Sequence, residues 1–254
     1  MSTRHVFIAL GIGAYLAFVL SSMPAAVGYR LLNAVSPDTV RLSGIEGTVW
    51  SGRAALGSAA GLPLRDVTWR AQALPLLLGR VAAHVQARLS DGFVETDVRA
   101  GTSAVLLNEL RISTSVATLA PLIPLQGASG QLSVSLARLR LEGGWPTRAI
   151  GEARIAELQV PPLLPSGGGE LIPLGSYDVA FVEAETGIAA RIRDTGGPLQ
   201  VEGSLTLTPD RRYALEGRAA ARPDAPPELV QGLEIMAGEP AAGGLRPFSL
   251  TGSL

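Results

Sequence analysis

Apolar and polar residues alternate with a period of two over much of this chain, and this alternation constrains its fold more than any other feature. Within residues 81–89, Val85 and Leu89 lie on one side of the pattern and His84 lies on the other. Successive side chains of a β-strand point to opposite faces of the sheet, so the pattern predicts a half-buried strand. A Ser-Asp-Gly turn follows, and residues 93–100 alternate again. Together they predict a β-hairpin.

The same alternation recurs, interrupted by turn residues, from residue 40 to the carboxyl terminus. Further strands are predicted at Val40–Leu42, Gly47–Leu56, Leu64–Ala71, Gln131–Glu142, Arg154–Val160, Tyr177–Glu183, Ile188–Arg193, Leu199–Leu207, Tyr213–Arg222 and Pro247–Leu254. With 30 glycines and 18 prolines, the chain favours many short strands over long helices. Short helices are predicted at Leu74–Arg80, Val116–Leu122 and Pro227–Met236. We therefore expect a mainly β fold with a large, curved, mostly antiparallel sheet and few short helices.

Two interruptions of the strand pattern bear on the architecture. Within Gln131–Glu142 the alternation slips by one residue at Ala137–Arg138, which predicts a β-bulge. The run PPLLPSGGG at residues 161–169 is the strongest linker signal in the sequence. It fits either a long surface loop within one sheet or a domain boundary, and we expect a single β-rich domain.

The first thirty residues predict a segment that crosses a membrane. No charged side chain occurs between His5 and Arg30, and these residues would span about 36 Å as a helix at about 1.5 Å per residue. That length is sufficient for the hydrocarbon core of a bilayer. Arg4 on the short side favours a cytoplasmic amino terminus by the positive-inside rule. The rest of the chain would then lie beyond the inner membrane.

A cleaved signal peptide is the alternative interpretation of this segment. Small residues at Ala26–Gly28 fit a signal-peptidase site, but the apolar region is longer and its start less basic than in most signal peptides. Both interpretations export the rest of the chain. We expect residues 1–30 to form a cytoplasmic tip and transmembrane anchor, and residues 31–254 to form a periplasmic β-rich domain.

Composition excludes several classes of chemistry. The chain has no cysteine, so it can form no disulfide, thiolate metal site or cysteine nucleophile. All 21 basic residues are arginine, so no lysine is present for a phosphate-binding loop or a Schiff base. A net charge of -1 and dispersed arginines argue against a nucleic-acid partner.

Few side chains offer chemistry of their own. His84 falls on the polar face of its strand, and no second histidine lies near it in sequence to make a metal pair. Asp91, Glu95 and Asp97 could bind calcium or act as an acid–base pair, but acidic residues on the wet face of a hairpin also serve solubility. We interpret all four as solvated structural residues.

Other motifs also lack a functional pattern. The chain has no G-x-S-x-G nucleophile elbow. The SGGGE run at residues 166–170 lacks the spacing and the lysine of a phosphate loop and is typical of a flexible linker. Trp50, Trp69 and Trp145 are expected to pack in the core or to anchor a sheet edge. We predict no catalytic, cofactor-binding or metal-binding residue, no cofactor and no enzymatic activity.

Several segments taken together carry a resemblance to a known family. They are Gly47–Ala54 (GTVWSGRA), Leu74–Arg80 (LPLLLGR), the hairpin of residues 196–218, and Ala225–Leu229 leading to Leu233. With the single amino-terminal apolar segment and the chain length, they resemble the general secretion pathway protein N family, the N component of bacterial type II secretion systems.

One position departs from the pattern of these hairpins. They usually read Pro-Asp-Gly, whereas here Pro209 and Asp210 are followed by Arg211. A type I turn accepts a non-glycine residue without positive φ, so the departure questions only the turn type.

The resemblance implies a function as well as a fold. A member of this family would be a non-enzymatic, single-pass protein of the inner membrane that supports export of folded periplasmic proteins across the outer membrane. Its partners would be other components of the type II secretion system, the inner-membrane platform first and the secretin as a further candidate. The sequence also looks related to AsmA-like proteins, whose curved sheets offer an apolar groove to lipid. A lipid-contacting or lipid-transferring periplasmic module is therefore the alternative function.

Overall fold

Thirteen strands form one antiparallel sheet in the part of the chain that the computed structural model describes. Described are residues 21–35, 40–59, 61–76, 80–101, 103–120, 127–162, 170–236, 239–240 and 244–253, together with residues 5, 7, 11, 15, 18 and 19. Each strand pairs with the next in sequence. The strands are β1 (Val40–Gly47), β2 (Ser51–Ala59), β3 (Leu62–Ala71), β4 (Val81–Arg88), β5 (Phe93–Ala100), β6 (Ala104–Ser115), β7 (Ser129–Glu142), β8 (Trp145–Val160), β9 (Ile172–Val182), β10 (Ile188–Gly196), β11 (Leu199–Leu207), β12 (Arg212–Ala221) and β13 (Arg246–Ser253).

The expectation of a mainly β fold with a large antiparallel sheet is confirmed, and one strand was missed. β6 was not predicted because Glu109, in a left-handed conformation with φ 50°, shifts its alternation by one residue. Leu107 precedes this shift and Leu110 follows it, yet both pack in one apolar cluster. β8 and β9, on either side of the predicted linker, pair directly. Linker residues 163–169 lie outside the described part of the chain.

The predicted bulge at Ala137–Arg138 is confirmed. On β7, Leu136 pairs with Gly151 and Arg138 pairs with Ile150, so β7 has one more residue than β8 between these pairs. A bulge bends its strand and increases the local twist. Glu109 lies beside it on β6, between the pairs that β6 forms with β7. The two irregularities therefore bend neighbouring strands at the same level.

Three short helices accompany the sheet. Helix α1 spans Ala25–Val35, α2 spans Ala73–Leu76 and α3 spans Pro227–Met236. The prediction for α3 is confirmed. The helix predicted at Leu74–Arg80 is shorter in its described part, and at Val116–Leu122 the described residues form only a 3₁₀ turn, Ala117–Leu119. In that segment Ser115 Oγ accepts a hydrogen bond from Thr118 N at 3.2 Å, so the chain turns where β6 ends.

The sheet has an apolar inner face and a polar outer face, and it curls toward the inner one. β8 and β10 approach each other although β9 lies between them. Trp145 on β8 donates from Nε1 to the carbonyl oxygen of Thr208, which follows β11, at 3.0 Å. Inner-face side chains form apolar clusters around Leu110, Leu136, Ala149 and Ile188, around Val116, Ala128, Leu158 and Tyr177, and around Ala54, Val67 and Ala87.

Aromatic rings cover glycines on the inner face near both edges of the sheet. Gly52 pairs with Trp69, Gly217 with Phe248 and Gly252 with Tyr213 in direct cross-strand register. A Cβ at Gly217 would lie 2.7 Å from Phe248 Cζ, so the ring fills the space of the missing side chain. Such pairs stabilise glycines near sheet edges and help to fix register. Trp69 and Trp145 thus serve packing and anchoring, and Trp50 lies in the β1–β2 turn.

The β11–β12 turn corrects the expectation for Arg211. Arg211 N donates to Thr208 O at 3.1 Å and Thr208 N donates to Arg212 O at 2.9 Å, while Arg211 has φ 64°. This is a type I turn followed by a left-handed residue, the arrangement that glycine usually completes. The sequence argument that no positive φ is needed was therefore wrong. A left-handed conformation costs a residue with a Cβ about 1–2 kcal/mol.

We expect Arg211→Gly to stabilise the protein. Glycine accepts φ 64° without steric strain, but it also increases the entropy of the unfolded chain, so the net gain should be about 1 kcal/mol. Urea unfolding of the purified chain would measure it. Arg212→Gly, one residue further within β12, is the control and should destabilise the sheet by about 0.5–1 kcal/mol. A loss of stability in both variants would contradict this account of the turn.

The amino-terminal segment joins the sheet at β1. Positions 5, 7, 11, 15, 18, 19 and 21 are helical, and Val49 N donates to Met23 O at 3.0 Å. Val49 Cγ2 lies 2.7 Å from where a Cβ at Gly28 would be, so α1 packs closely against the β1–β2 turn. Among the described residues, no helix combines the length and the apolar character required to cross a membrane. The single transmembrane anchor stays a prediction.

Tyr29 on α1 satisfies backbone groups of the edge strand β1. Its hydroxyl accepts a hydrogen bond from Leu42 N at 3.1 Å and lies 3.4 Å from Val40 O, to which it donates. In Tyr29→Phe we expect the Leu42 amide to exchange with solvent several-fold faster, because removing a hydrogen bond costs about 1 kcal/mol. Hydrogen exchange by mass spectrometry would measure it, with Tyr15→Phe as the control. Unchanged protection of β1 would contradict this role.

Candidate functional site

The outer face offers a continuous polar surface across the whole sheet. One row of directly paired residues crosses all thirteen strands, and alanine is the only apolar residue in it. Its charged members alternate in sign from each to the next along the row. The row is Glu46, Arg53, Thr68, Gln86, Glu95, Arg111, Ser135, Glu152, Ala180, Arg191, Ser204, Glu216 and Ser249.

A neighbouring outer row contains a ladder of alternating charges over β8 to β12. Its members pair in the order Arg154, Asp178, Arg193, Glu202 and Arg218. Arg154 donates from Nε to Asp178 Oδ1 at 2.7 Å and from a terminal nitrogen to Oδ2 at 3.2 Å. These bonds hold the pKa of Asp178 below its usual value. Exposed pairs add little stability, but opposite charges across strands favour the observed register.

The inner face is apolar and only partly covered. Directly beside the polar row that crosses all thirteen strands, but on the opposite face, lies a row of paired residues from β5 to β13. It contains only apolar residues and glycine, and most of its side chains are half-buried. On β13, the inner-face side chain of Leu250 is 55% exposed. The sheet thus leaves apolar surface open on this face near β13. The row is Val94, Ile112, Val134, Ala153, Val179, Ile192, Gly203, Gly217 and Phe248.

An ion pair interrupts the apolar inner face at the β10–β11 end. Arg222 forms a close ion pair with Asp194, whose side chain is 9% exposed, and also donates to Leu199 O at 3.1 Å. Val201 N donates to Asp194 Oδ1 at 2.9 Å. Burial raises the pKa of Asp194, but the bonds from Val201 and Arg222 outweigh it and lower the pKa overall. The pair ties β10, β11 and the end of β12 together.

Tyr177 packs beside this ion pair. Its hydroxyl donates to Leu174 O at 2.7 Å, and burial, followed by the negative charge of Asp194, raises its pKa to about 12. It therefore stays neutral at physiological pH and acts as a structural donor. The sequence analysis missed Asp194 and Arg222 because each looks like a solvated strand-end residue. An aspartate that replaces an apolar residue in the inward alternation of β10 was the available signal.

The structure brings together three of the four candidate residues considered from sequence. His84 lies on the outer face with Nδ1 2.8 Å from Asp97 Oδ1 and Nε2 3.3 Å from Glu95 Oε1. Gln86 donates to Glu95 at 3.1 Å. The side chains of His84, Glu95 and Asp97 are 30–46% exposed, which fits their interpretation as solvated outer-face residues. Within the described residues, no group of three or more histidine and acidic side chains is arranged to hold a metal ion.

Asp91, the fourth candidate, lies apart from them and caps the end of β6. It accepts hydrogen bonds from Thr114 Oγ1 at 2.6 Å, Thr118 Oγ1 at 2.8 Å and Ser115 N at 3.2 Å. Hydrogen bonds from Ser115, Thr114 and Thr118 hold the pKa of Asp91 well below its usual range. Thr114 is 1% exposed, so its hydroxyl depends on this carboxylate. Asp91 is a structural residue that joins two turns.

We expect Asp91→Asn to destabilise the protein by about 1 kcal/mol at pH 7. Because the folded-state pKa is lowered, the carboxylate stabilises the protein above its unfolded-state pKa of about 3.9, and this contribution is lost as the pH falls. The stability difference between wild type and variant should therefore shrink below about pH 4. Urea unfolding at pH 7, 5 and 3 would measure it. A constant difference over this range would exclude the charge as the cause.

Comparison with known proteins decides the family of this chain. A family model described as "Type II secretion system (T2SS), protein N" matches residues 38–249. The chain belongs to this family. The match runs from just before β1 into β13 and so covers nearly all of the sheet. The resemblance drawn from the turn and hairpin segments is confirmed.

Curated relatives agree over nearly the full chain. The chain is 26% identical over 263 residues to the type II secretion system protein N of Aeromonas hydrophila, with 100% of both chains covered. It is 28% identical over 261 residues to the protein of the same name from Vibrio cholerae serotype O1, with 97% of this chain and 99% of the relative covered. No solved structure matches significantly. Family membership supports a role as a component of the type II secretion system.

Proposed function

We propose that this chain is a non-enzymatic component of the type II secretion system that binds other components through the outer face of its sheet. The observation that carries the proposal is the polar row crossing all thirteen strands, whose charges alternate along its length. Partners recognised by such a surface need complementary charge at matching spacing, which gives specificity more than affinity. Family membership points to the secretion machinery as the source of the partners.

Site-specific crosslinking in membranes tests this surface. A photoreactive phenylalanine analogue is placed at the exposed outer residue Ser204, and in a matched variant at its neighbour Leu205, which points to the inner face. We expect adducts with inner-membrane platform proteins or the secretin from Ser204 and none from Leu205. Adducts from neither position, or equal yields from both, would overturn the proposed surface.

We further propose that residues 1–30 anchor the chain in the inner membrane with the amino terminus in the cytoplasm and the sheet in the periplasm. The support is the uncharged stretch between His5 and Arg30. Because the chain has no cysteine, single cysteines report topology directly. A membrane-impermeant maleimide applied to spheroplasts should label Ser253→Cys and leave Ser2→Cys unlabelled. The reverse pattern, or release of Ser253→Cys without its first residues, would refute the anchor.

The open inner face favours lipid binding as a second candidate function. On β11 to β13, Leu205, Leu215 and Leu250 pair in one inner row, and Leu250 is 55% exposed. Uncovered apolar surface of this kind marks interaction sites. Mass spectrometry of the gently purified full chain would then find a bound lipid, lost when Leu215 and Leu250 are changed to Asn. A lipid-free wild-type protein would exclude this function.

A further inference from the structure

The two edges of the open sheet differ in protection. At β1, the hydroxyl of Tyr29 accepts the hydrogen bond of Leu42 N, and Pro24 forms a bridge with Thr48. Helix α1 thus covers part of that edge. At β13, residues 247–253 form backbone hydrogen bonds, within the described part of the chain, only with β12, and Ser249, Leu250 and Thr251 are exposed. Unpaired edge strands are templates for pairing with another strand.

The hydrogen-bond pattern of the last hairpin shows which groups of β13 point outward. Arg222 N donates to Pro198 O at 2.8 Å, and Thr208 N donates to Arg212 O at 2.9 Å. Bonded and non-bonded pairs alternate in an antiparallel ladder, so even-numbered residues of β12 bond to β11 and odd-numbered ones bond to β13. Gly217 pairs with Phe248, so the even-numbered residues of β13 face β12. Its odd-numbered residues therefore face the open edge.

Pro247 agrees with this assignment. It is an odd-numbered residue, so the N–H that proline lacks would have pointed away from the sheet, where proline is tolerated on an edge strand. Beyond Pro247, the N–H groups of Ser249, Thr251 and Ser253 point outward, and no charged residue occurs from residue 247 to 253. Proteins commonly guard open edges with charged side chains. This edge has none over that range.

We propose that β13 pairs antiparallel with β13 of a second copy of this chain, with the two-fold axis beside Leu250. In this register Leu250 faces Leu250 of the partner subunit, and Ser249 faces Thr251 of the partner subunit. Each outward N–H then meets a carbonyl oxygen, because odd-numbered residues lie opposite odd-numbered ones. Ser253 N donates to the carbonyl oxygen of Pro247 of the partner subunit, while the Ser253 carbonyl receives no bond in return because proline lacks an N–H. Ser253 is exposed at the end of the ladder, so its carbonyl is left to solvent.

Side-chain complementarity selects this register and this partner. The inner row Leu205, Leu215 and Leu250 would continue across the axis into the same row of the second copy, covering Leu250, which is 55% exposed. An isologous interface requires self-complementarity, and this segment provides it without placing two charges opposite each other.

Single cysteines test the register, because the natural chain has none. Directly opposed cysteines on non-bonded antiparallel pairs lie close enough for a disulfide, whereas positions offset by two residues are too far apart. On mild oxidation of full-length protein in native membranes, Leu250→Cys should form a covalent dimer and Ser249→Cys should not. Absence of dimer from Leu250→Cys, or equal dimer from both variants, would overturn the proposal.

A second variant tests the edge without introducing cysteine. Thr251→Pro removes an outward N–H and should not break a bond to β12, so the fold is retained while pairing between copies is blocked. Native mass spectrometry of the purified full chain should show a dimer for wild type and for the control Thr251→Ala, and a monomer for Thr251→Pro at an unchanged Tm. A monomeric wild type, or a dimeric Thr251→Pro, would contradict pairing through β13.

Discussion

Replacing Gly175 by alanine should destabilise the protein by about 3–4 kcal/mol. Gly175 has φ 101°, a conformation that residues with a Cβ rarely adopt. The added Cβ would also collide with the carbonyl oxygen of Gly196 and lie 3.0 Å from Gly197 Cα. Both obstacles are backbone, which cannot move without separating β9 from β10. Guanidinium unfolding followed by far-ultraviolet circular dichroism would measure the loss.

Gly196→Ala is the matched control for this substitution. Gly196 also has positive φ, 152°, but a Cβ there would meet nothing within 4 Å. Gly196→Ala should lose only about 1 kcal/mol of stability, the cost of the unfavourable backbone conformation alone. If Gly175→Ala loses more stability than Gly196→Ala, the close approach of β9 and β10 requires glycine at position 175. Equal losses would contradict that explanation and leave backbone conformation as the sole cause.

Arg222→Met should have the second-largest effect, a loss of about 2–3 kcal/mol. Removing one partner of a buried ion pair leaves the other charge uncompensated, which costs about 3–5 kcal/mol when both groups are buried. Here the Asp194 side chain is 9% exposed but that of Arg222 is 34% exposed, so solvent reduces the effect. The same denaturant titration would measure it, and Arg53→Met at the exposed pair with Glu46 should cost less than about 0.5 kcal/mol.

A double-mutant cycle separates the ion pair from packing. In the Arg222→Met background, Asp194→Asn removes the uncompensated charge. The loss of stability in the double variant should therefore be smaller, by at least about 1 kcal/mol, than the sum of the losses in the two single variants. Asp194 has a lowered pKa, so its charge stabilises the fold above the unfolded-state pKa and this contribution is lost as the pH falls. Additive losses would show that Arg222 acts through its aliphatic portion alone.

The sequence predicted the sheet well wherever the period of two was uninterrupted. β4, β5, β11 and α3 were placed within a residue or two, because hairpin turns and apolar alternation agree there. β6 was missed since Glu109, at φ 50°, shifts its alternation in mid-strand. The bulge at Ala137 was predicted because the slip there lies between two long, regular stretches. The pattern also fitted a sheet of many sequential hairpins, and each strand does pair with the next in sequence.

The candidate functional site was less predictable from the sequence than the fold was. The period-two alternation predicted one polar and one apolar face of the sheet. It did not predict which residues pair across neighbouring strands, because β-bulges shift the register and the sequence does not locate them reliably. The continuous polar row on the outer face was therefore not predicted. The sequence analysis expected no positive φ at Arg211, but the residue has φ 64°. That expectation was wrong because it considered the type I turn alone and not the residue that leads from the turn into β12. The pair of Asp194 and Arg222 depends on three strands meeting at one end of the sheet.

A deletion strain scored in two ways tests the central claim, that this chain serves type II secretion, most directly. The proteome of the culture medium reports secretion, and entry of a bulky hydrophobic dye reports the outer-membrane barrier. We predict loss of a set of folded secreted proteins with an intact barrier, restored by the wild-type chain. Normal secretion with a leaky barrier would contradict the secretion role and favour lipid handling by the inner face.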